Sequence, residues 1–118
     1  MTGILYHDDF LNHNTGIGHP ERPSRVTAIT GPLKTPKYEG KLVWDEPRLA
    51  TTAEIAYVHA PDYIERVRKT TEKGPANLDS PDTPVSQGSW QASLRAAGAL
   101  LTGIDGVLAG KYTTAFCP

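Results

Sequence analysis

Most of the residues able to do chemistry lie early in the chain. His7, Asp8, Asp9, His13 and His19 all fall in or beside one loop-like segment. Imidazoles and carboxylates are common zinc ligands, and zinc sites use them at short, regular spacings. The spacing here is irregular. There is no Asp-x-His, no His-x-x-x-His and no Cys-x-x-Cys pair. The residues therefore read first as a polar, solvated loop and only second as a metal site. Within the same stretch, "HPERPSR" (19–25) places an acid and two bases among two prolines, which makes a stiff and highly charged segment.

Other chemistries have less support. The serines at 24, 80, 86, 89 and 93 do not sit in a Gly-x-Ser-x-Gly elbow. Cys117 has no neighbouring histidine and is expected to pack in the core at the end of a buried strand. Gly16-Ile17-Gly18 lacks the third glycine and the helix start of a dinucleotide loop. Asp79 and Asp82 in "DSPDTP" are either turn formers or substrate-facing acids. His59 is expected to cap or pack at a helix end.

These residues need elements to position them. "GILYH" (3–7) reads as a buried strand, followed by a long loop over 8–23 rich in Asn, Gly and Pro. Arg25 to about Leu33 reads as a short helix cut by Gly31-Pro32, and "KLVWD" (41–45) as a second strand. Thr51 and Glu54 form a capping-box signature, opening a helix expected to stop near Ala60. Pro61 suits the first turn of the next helix, which runs to Gly74 with Tyr63, Ile64 and Val67 on one face. A second long loop covers 75–88. The longest periodic segment, 86–110, predicts a helix of about 23 residues, roughly 35 Å long. Trp90, Leu94, Ala97, Leu101, Ile104 and Leu108 mark its apolar face, and the small residues at 96–99 predict close packing against a sheet. "TTAFC" (113–117) reads as a third strand. Alternating strands and helices predict an α/β fold with a parallel sheet.

Composition narrows the function. The 118 residues suffice for one small domain, and 38% hydrophobic residues predict a small core. Twelve Lys+Arg against 13 Asp+Glu give a net charge of -1 and no basic stripe, so nothing favours nucleic-acid binding. A single cysteine excludes an internal disulfide and fits a reducing compartment. No signal peptide and no apolar run long enough for a transmembrane helix is visible, which together predict a cytoplasmic protein with no membrane contact.

Taken in order, "TGILYHDDFLNHNTG" (2–16), "GHPERPSR" (18–25), "TTAEIAYVHAPDYIERVR" (51–68), "LDSPDTPVSQGSWQASLRAAGALL" (78–101) and "VLAGKYTTAFCP" (107–118) resemble the N-terminal portion of the histone deacetylase superfamily. That group includes class II enzymes, bacterial histone deacetylase-like amidohydrolases, acetylpolyamine amidohydrolases and acetoin utilization proteins. Glu21 and Arg22 resemble the class II and bacterial branch. The resemblance implies a three-layer αβα arginase/deacetylase fold, with residues 1–118 forming one segment of a single domain. Its three strands would be ordered 2-1-3, the third a bare edge.

The resemblance also implies roles. His19 and Pro20 would line the rim of the active-site mouth. Arg25 would stand beside an internal channel associated with acetate release, where a permanently charged fork suits a carboxylate. Asp79 or Asp82 would match a loop aspartate that grips the substrate backbone, and the sequence leaves open which. The complete family protein uses Zn2+ to hydrolyse acetyl-amide bonds of acetyl-lysine peptides or acetylpolyamines. Its paired catalytic histidines are expected just after Pro118, and its zinc ligands further on. No catalytic residue and no zinc ligand is therefore expected within 1–118, and this segment alone is expected to be inactive. Two alternatives stand beside that reading: a non-catalytic module needing a partner chain, and a small metal-binding protein using His7, Asp8, His13 and His19.

Overall fold

The computed structural model describes all residues, Met1–Pro118. Three parallel strands form the central sheet: β1 (Thr2–Leu5), β2 (Leu42–Asp45) and β5 (Thr114–Phe116), ordered β2-β1-β5. This is the expected 2-1-3 arrangement. The register sets Ile4 beside Trp44 and Phe116, and Gly3 beside Val43 and Ala115. Side chains alternate between faces along a strand, so Gly3, Leu5 and Ala115 share one face while Ile4, Trp44 and Phe116 share the other.

Helix α4 (Ser89–Leu108) covers the Leu5 face. Its contact stripe is made of small residues, Ala92, Ala99, Gly103 and Gly106, all buried. A Cβ at Gly103 would touch the Ala115 Cβ at 3.2 Å and Leu5 at 3.4 Å, which shows how near the helix lies to the sheet. The helix packs closely on the sheet, but through Gly103 and not through the expected 96–99, where Gly98 meets the 48–50 segment instead, and the expected apolar stripe is not the one buried. Ile104 is 48% exposed and Leu108 81% exposed. A helix resting directly on strands presents its smallest side chains to them, and the larger ones turn outward.

Tyr112 explains Gly106 of that stripe and Gly3 of β1. Its ring is 3% exposed and wedged between β1 and α4, where a Cβ on Gly3 would fall 2.6 Å from the ring and one on Gly106 2.2 Å from the hydroxyl oxygen. The hydroxyl donates to Asp45 Oδ2 at 3.1 Å, and burial pushes the phenol pKa upward. On the opposite face, the end of α1 (Pro23–Leu33) brings Lys34 Nζ over the rings of Tyr6 and Trp44, at 5.1 and 5.2 Å. Helices thus lie on both faces of the α/β sheet.

Several boundaries differ from expectation. Helix α1 starts at Pro23 and runs through Gly31-Pro32, because Pro32 sits in the last turn and costs it only one hydrogen bond. Helix α2 (Thr52–Ile55) is a single turn that gives way to turns well before Ala60. Helix α3 (Pro61–Glu72) begins at the predicted proline, with Ile64 buried and Tyr63 and Val67 half-buried. The loop at 8–23 contains a 3-10 turn, Asp8–Asn12. The loop at 75–88 holds a short antiparallel hairpin of β3 (Ala76–Asn77) and β4 (Pro84–Val85). Strand β5 is exposed along its length, as suits an edge. Cys117 is exposed as well, which corrects its expected place in the core; partial burial still raises its thiol pKa. No helix is long and apolar enough to cross a membrane.

The capping box at α2 is real and is reinforced. Thr51 Oγ1 accepts from the Glu54 N–H at 3.1 Å, and Glu54 Oε1 accepts from the Thr51 N–H at 2.9 Å. Arg48 adds a two-pronged contact, donating to the two Glu54 oxygens at 2.8 and 2.7 Å. The Arg48 hydrogen bonds, followed by those of Thr51, lower the Glu54 pKa from 4.5 to about 2. A carboxyl depressed in the folded state stabilises fully above its unfolded pKa, and that contribution is lost as pH falls through the folded value. The urea midpoint of Glu54→Gln should therefore lie below wild type above pH 4.5 and converge on it as pH falls to about 2. A gap that stays constant through that window would show that the Arg48–Glu54 contact does not form.

Candidate active-site wall

In open parallel sheets, ligands bind beyond the carboxyl ends of the strands. Here β1 and β5 end in the segments that carry Tyr6 to Glu21 and Cys117-Pro118. A hollow of about 160 Å³ opens there, its lining including Phe10, His13, Glu21, Arg25, Ala92 and Pro118. Three chain segments remote in sequence build it: the first loop with the start of α1, the small-residue stripe of α4, and the end of the chain.

Arg25 is the cation on this hollow, which it shares with the Glu21 carboxylate. Its Nε and Nη2 donate to the Glu21 carboxylate at 3.2 Å each, an i,i+4 pair that is nearly half exposed. The pair uses the side of the guanidinium. Nη1 makes no hydrogen bond within the chain, so the end-on fork of Nη1 and Nη2 stays available to a carboxylate. His19 bends its own segment. Its Nδ1 accepts from the Glu21 N–H at 3.1 Å, shaping the turn that presents Glu21 to Arg25. Thr15 Oγ1 donates to the Glu21 carbonyl from the other side of the loop. Pro20 is exposed on the outer surface of that turn, and His19 is half exposed.

The two candidate acids separate clearly. Both lie in the turn joining β3 to β4, but Asp79 Oδ1 is paired with Arg66 Nη2 at 2.9 Å. Asp82 is exposed and has neither an ion-pair nor a hydrogen-bond partner. Between this hairpin and the first loop runs a groove of about 370 Å³, lined by Asn14 to Gly16 on one side and by Pro75, Pro84 and Ser86, among others, on the other.

The remaining histidines and acids do not gather into one cluster, although His7 lies between two carboxylates, Asp9 and Glu46. His13 Nδ1 lies 2.7 Å from Ser89 Oγ. Asp8 accepts from the Tyr6 hydroxyl at 2.9 Å. His7 Nδ1 accepts from the Asp9 N–H, while its Nε2 lies 3.1 Å from Glu46. His59 stacks on Tyr63, their ring centres 5.7 Å apart. No three side chains of His, Cys, Asp and Glu come together in a way that could hold a metal ion. His7, Asp8, His13 and His19, the set read as an alternative metal site, do not form such a group.

Two sets of supporting residues escape a reading of the sequence by motif. One pins the first loop to the start of α4: the Ser86 N–H donates to Ser89 Oγ at 2.8 Å, and the Asn14 N–H donates to Ser86 Oγ at 3.1 Å. The other centres on Arg95, which donates to Asp9 Oδ2 at 3.0 Å and to the Pro47 carbonyl at 2.8 Å. Arg95 thereby ties the first loop and the segment after β2 to α4. An arginine in the middle of an apolar helix was the visible hint, although its partners are too distant in sequence to be guessed.

Comparison with known proteins bears on this arrangement. Residues 19–118 match the histone deacetylase domain family. The chain is 38% identical over 111 residues to the uncharacterized protein slr0245 of Synechocystis, covering 92% of this chain and 36% of that protein. It is 34% identical over 117 residues to the acetoin utilization protein AcuC of Bacillus subtilis, covering 92% of this chain and 30% of that one. The crystal structure of the HDA15 HD domain superposes with a TM-score of 0.86 at 25% identity, covering 98% of this chain and 34% of the other. The chain spans about a third of the length of the relatives it matches. The family match takes in "HPERPSR" with Arg25 and the hairpin, and the parallel sheet agrees in shape: this chain belongs to the histone deacetylase domain family.

Proposed function

We propose that this chain is the wall, rim and product-exit part of a zinc-dependent deacetylase. The reaction adds water across an acetyl-amide bond: the carbonyl carbon gains an oxygen, the C–N bond breaks, and acetate and an amine leave. The observation that carries the proposal is Arg25, standing on a hollow at the carboxyl end of the sheet with one guanidinium fork free. A fixed, always-charged fork suits the carboxylate that deacetylation produces. Asp82, the unpaired acid of the hairpin, is the one we assign to the substrate backbone, with His19 and Pro20 on the rim. The amide is that of an acetylated lysine or an acetylated polyamine, and the setting is cytoplasmic.

The zinc and the groups that activate water are assigned to residues outside this segment. The shape of the molecule supports that division. Its radius of gyration is 15.5 Å, against about 13.5 Å for a compact domain of this length. Only 19 of 118 residues are buried, and Leu100, Ile104, Val107 and Leu108 form an open apolar stripe on α4. Such a surface is what a larger domain covers.

The test is acetate release from an acetyl-lysine peptide and from acetylspermidine by the full gene product, before and after chelation. Activity that a chelator abolishes and zinc restores is expected. Replacing Arg25 by Ala should lower kcat about 10- to 100-fold, since acetate exit enters kcat, with a size equivalent to one hydrogen bond to a charged group. Arg25→Lys, which keeps the charge and loses the fork, should fall between. Full activity in Arg25→Ala would remove Arg25 from the product route, and no acetate release from either substrate would refute the function.

A further inference from the structure

The hairpin that carries Asp82 is too small to hold its own shape. Its strands have two residues each, pairing Ala76 with Val85 and Asn77 with Pro84. The turn is closed by the Leu78 N–H donating to the Thr83 carbonyl at 3.0 Å and the Thr83 N–H to the Ser80 carbonyl at 3.1 Å. A two-stranded ribbon of this size is at best marginally stable in water. Its position must come from anchors elsewhere.

Two anchors are present, side by side. Leu78 reaches into an apolar hollow between α3 and α4, beside Tyr63, Val67 and Trp90. Asp79 pairs with Arg66 of α3 at 2.9 Å. Arg66 is itself held, its guanidinium 5.0 Å above the Tyr63 ring, and Tyr63 stacks against His59. The guanidinium thus rests on one aromatic face before it meets the hairpin, its other face open to solvent in a side chain 49% exposed. Asp82, three residues beyond Asp79, is left without a partner.

We infer that the Arg66–Asp79 pair is a positioning device: it holds the hairpin tip so that Asp82 stays free and aimed for substrate. Arg66 and Asp79 are positioning residues, acting through Asp82 and not touching substrate. The inference rests on the deacetylase reading above. An exposed ion pair adds little to global stability, so its loss should separate binding from folding.

The experiment uses the full gene product with an acetyl-lysine peptide. Arg66→Ala should leave Tm and kcat near wild type, raise KM roughly three- to ten-fold and speed amide exchange at Leu78 and Thr83. The exchanged pair, Arg66→Asp with Asp79→Arg, should restore part of both KM and slow exchange, because it remakes the ion pair without the ring contact beneath Arg66. Asp82→Asn should raise KM without changing exchange at Leu78. If wild type is active and Arg66→Ala matches it in KM and exchange, this inference fails alone. Failure of the exchanged pair to restore either quantity also overturns it. If wild type releases no acetate, the function fails and takes this inference with it.

Discussion

Gly98→Ala should destabilise the protein by about 2–3 kcal/mol, although the same change in a free helix would stabilise it by about 1 kcal/mol. The reason is the segment after β2. Residues Arg48 to Ala50 lie directly on α4, with the Ala50 N–H donating to the Leu94 carbonyl at 2.9 Å and the Arg48 N–H to Thr102 Oγ1 at 3.2 Å. A Cβ at Gly98 would fall 1.8 Å from the Arg48 carbonyl oxygen and 2.9 Å from the Ala50 nitrogen. Those are backbone atoms, so no side-chain rotation relieves the clash. The segment must lift and both docking hydrogen bonds must lengthen. A fall in Tm of about 10 °C is expected, at roughly 3–5 °C per kcal/mol for a chain this long. A Tm equal to or above wild type would show that the segment does not rest on the helix.

Arg95→Ala should be comparably damaging for a different reason. Arg95 and Asp9 side chains are only 15% and 18% exposed, and removing the guanidinium leaves the Asp9 carboxylate in a poorly solvated place with only His7 Nδ1, 3.2 Å away, as an ion-pair partner. Breaking a fully buried pair costs about 3–5 kcal/mol; the remaining solvent access lowers the expectation here to roughly 2–3 kcal/mol. The Pro47 carbonyl loses its donor at the same time. Arg95→Ala with Asp9→Ala should cost clearly less than the sum of the two single changes, because each single variant removes the other's nearest charged partner. Urea unfolding of the four proteins measures this. Strict additivity would mean that the pair does not couple.

These two sites show where the sequence was legible and where it was not. The strand order came with the family resemblance; the strands near 3–7, 41–45 and 113–117, the capping box and the start of α3 at Pro61 follow from local patterns. Each is set by residues a few positions apart. The path of the 48–50 segment over Gly98 and the bridge from Arg95 to Asp9 join residues far apart in the chain, where no spacing rule operates. The misassigned face of α4 has the same origin. Periodicity counts the large apolar residues, but the sheet came close enough to select the small ones, and Ile104 and Leu108 were left outside.

The site was half legible. "HPERPSR" announces itself by composition, and the resemblance drew attention to Arg25, which lies on a hollow at the carboxyl end of the sheet. Asp79 and Asp82 could not be told apart in the sequence, since both sit in one proline-rich turn. Only the tertiary contact from Arg66 distinguishes the engaged acid from the free one.

The central claim is that these residues form one wall of a zinc deacetylase whose metal-binding groups lie elsewhere. Reading the source gene past the codon for Pro118 tests it most directly. The claim predicts an open frame that soon encodes paired histidines after a glycine, and then an Asp-x-His motif with a later aspartate. A stop codon directly after Pro118, or a continuing frame without those motifs, would contradict it.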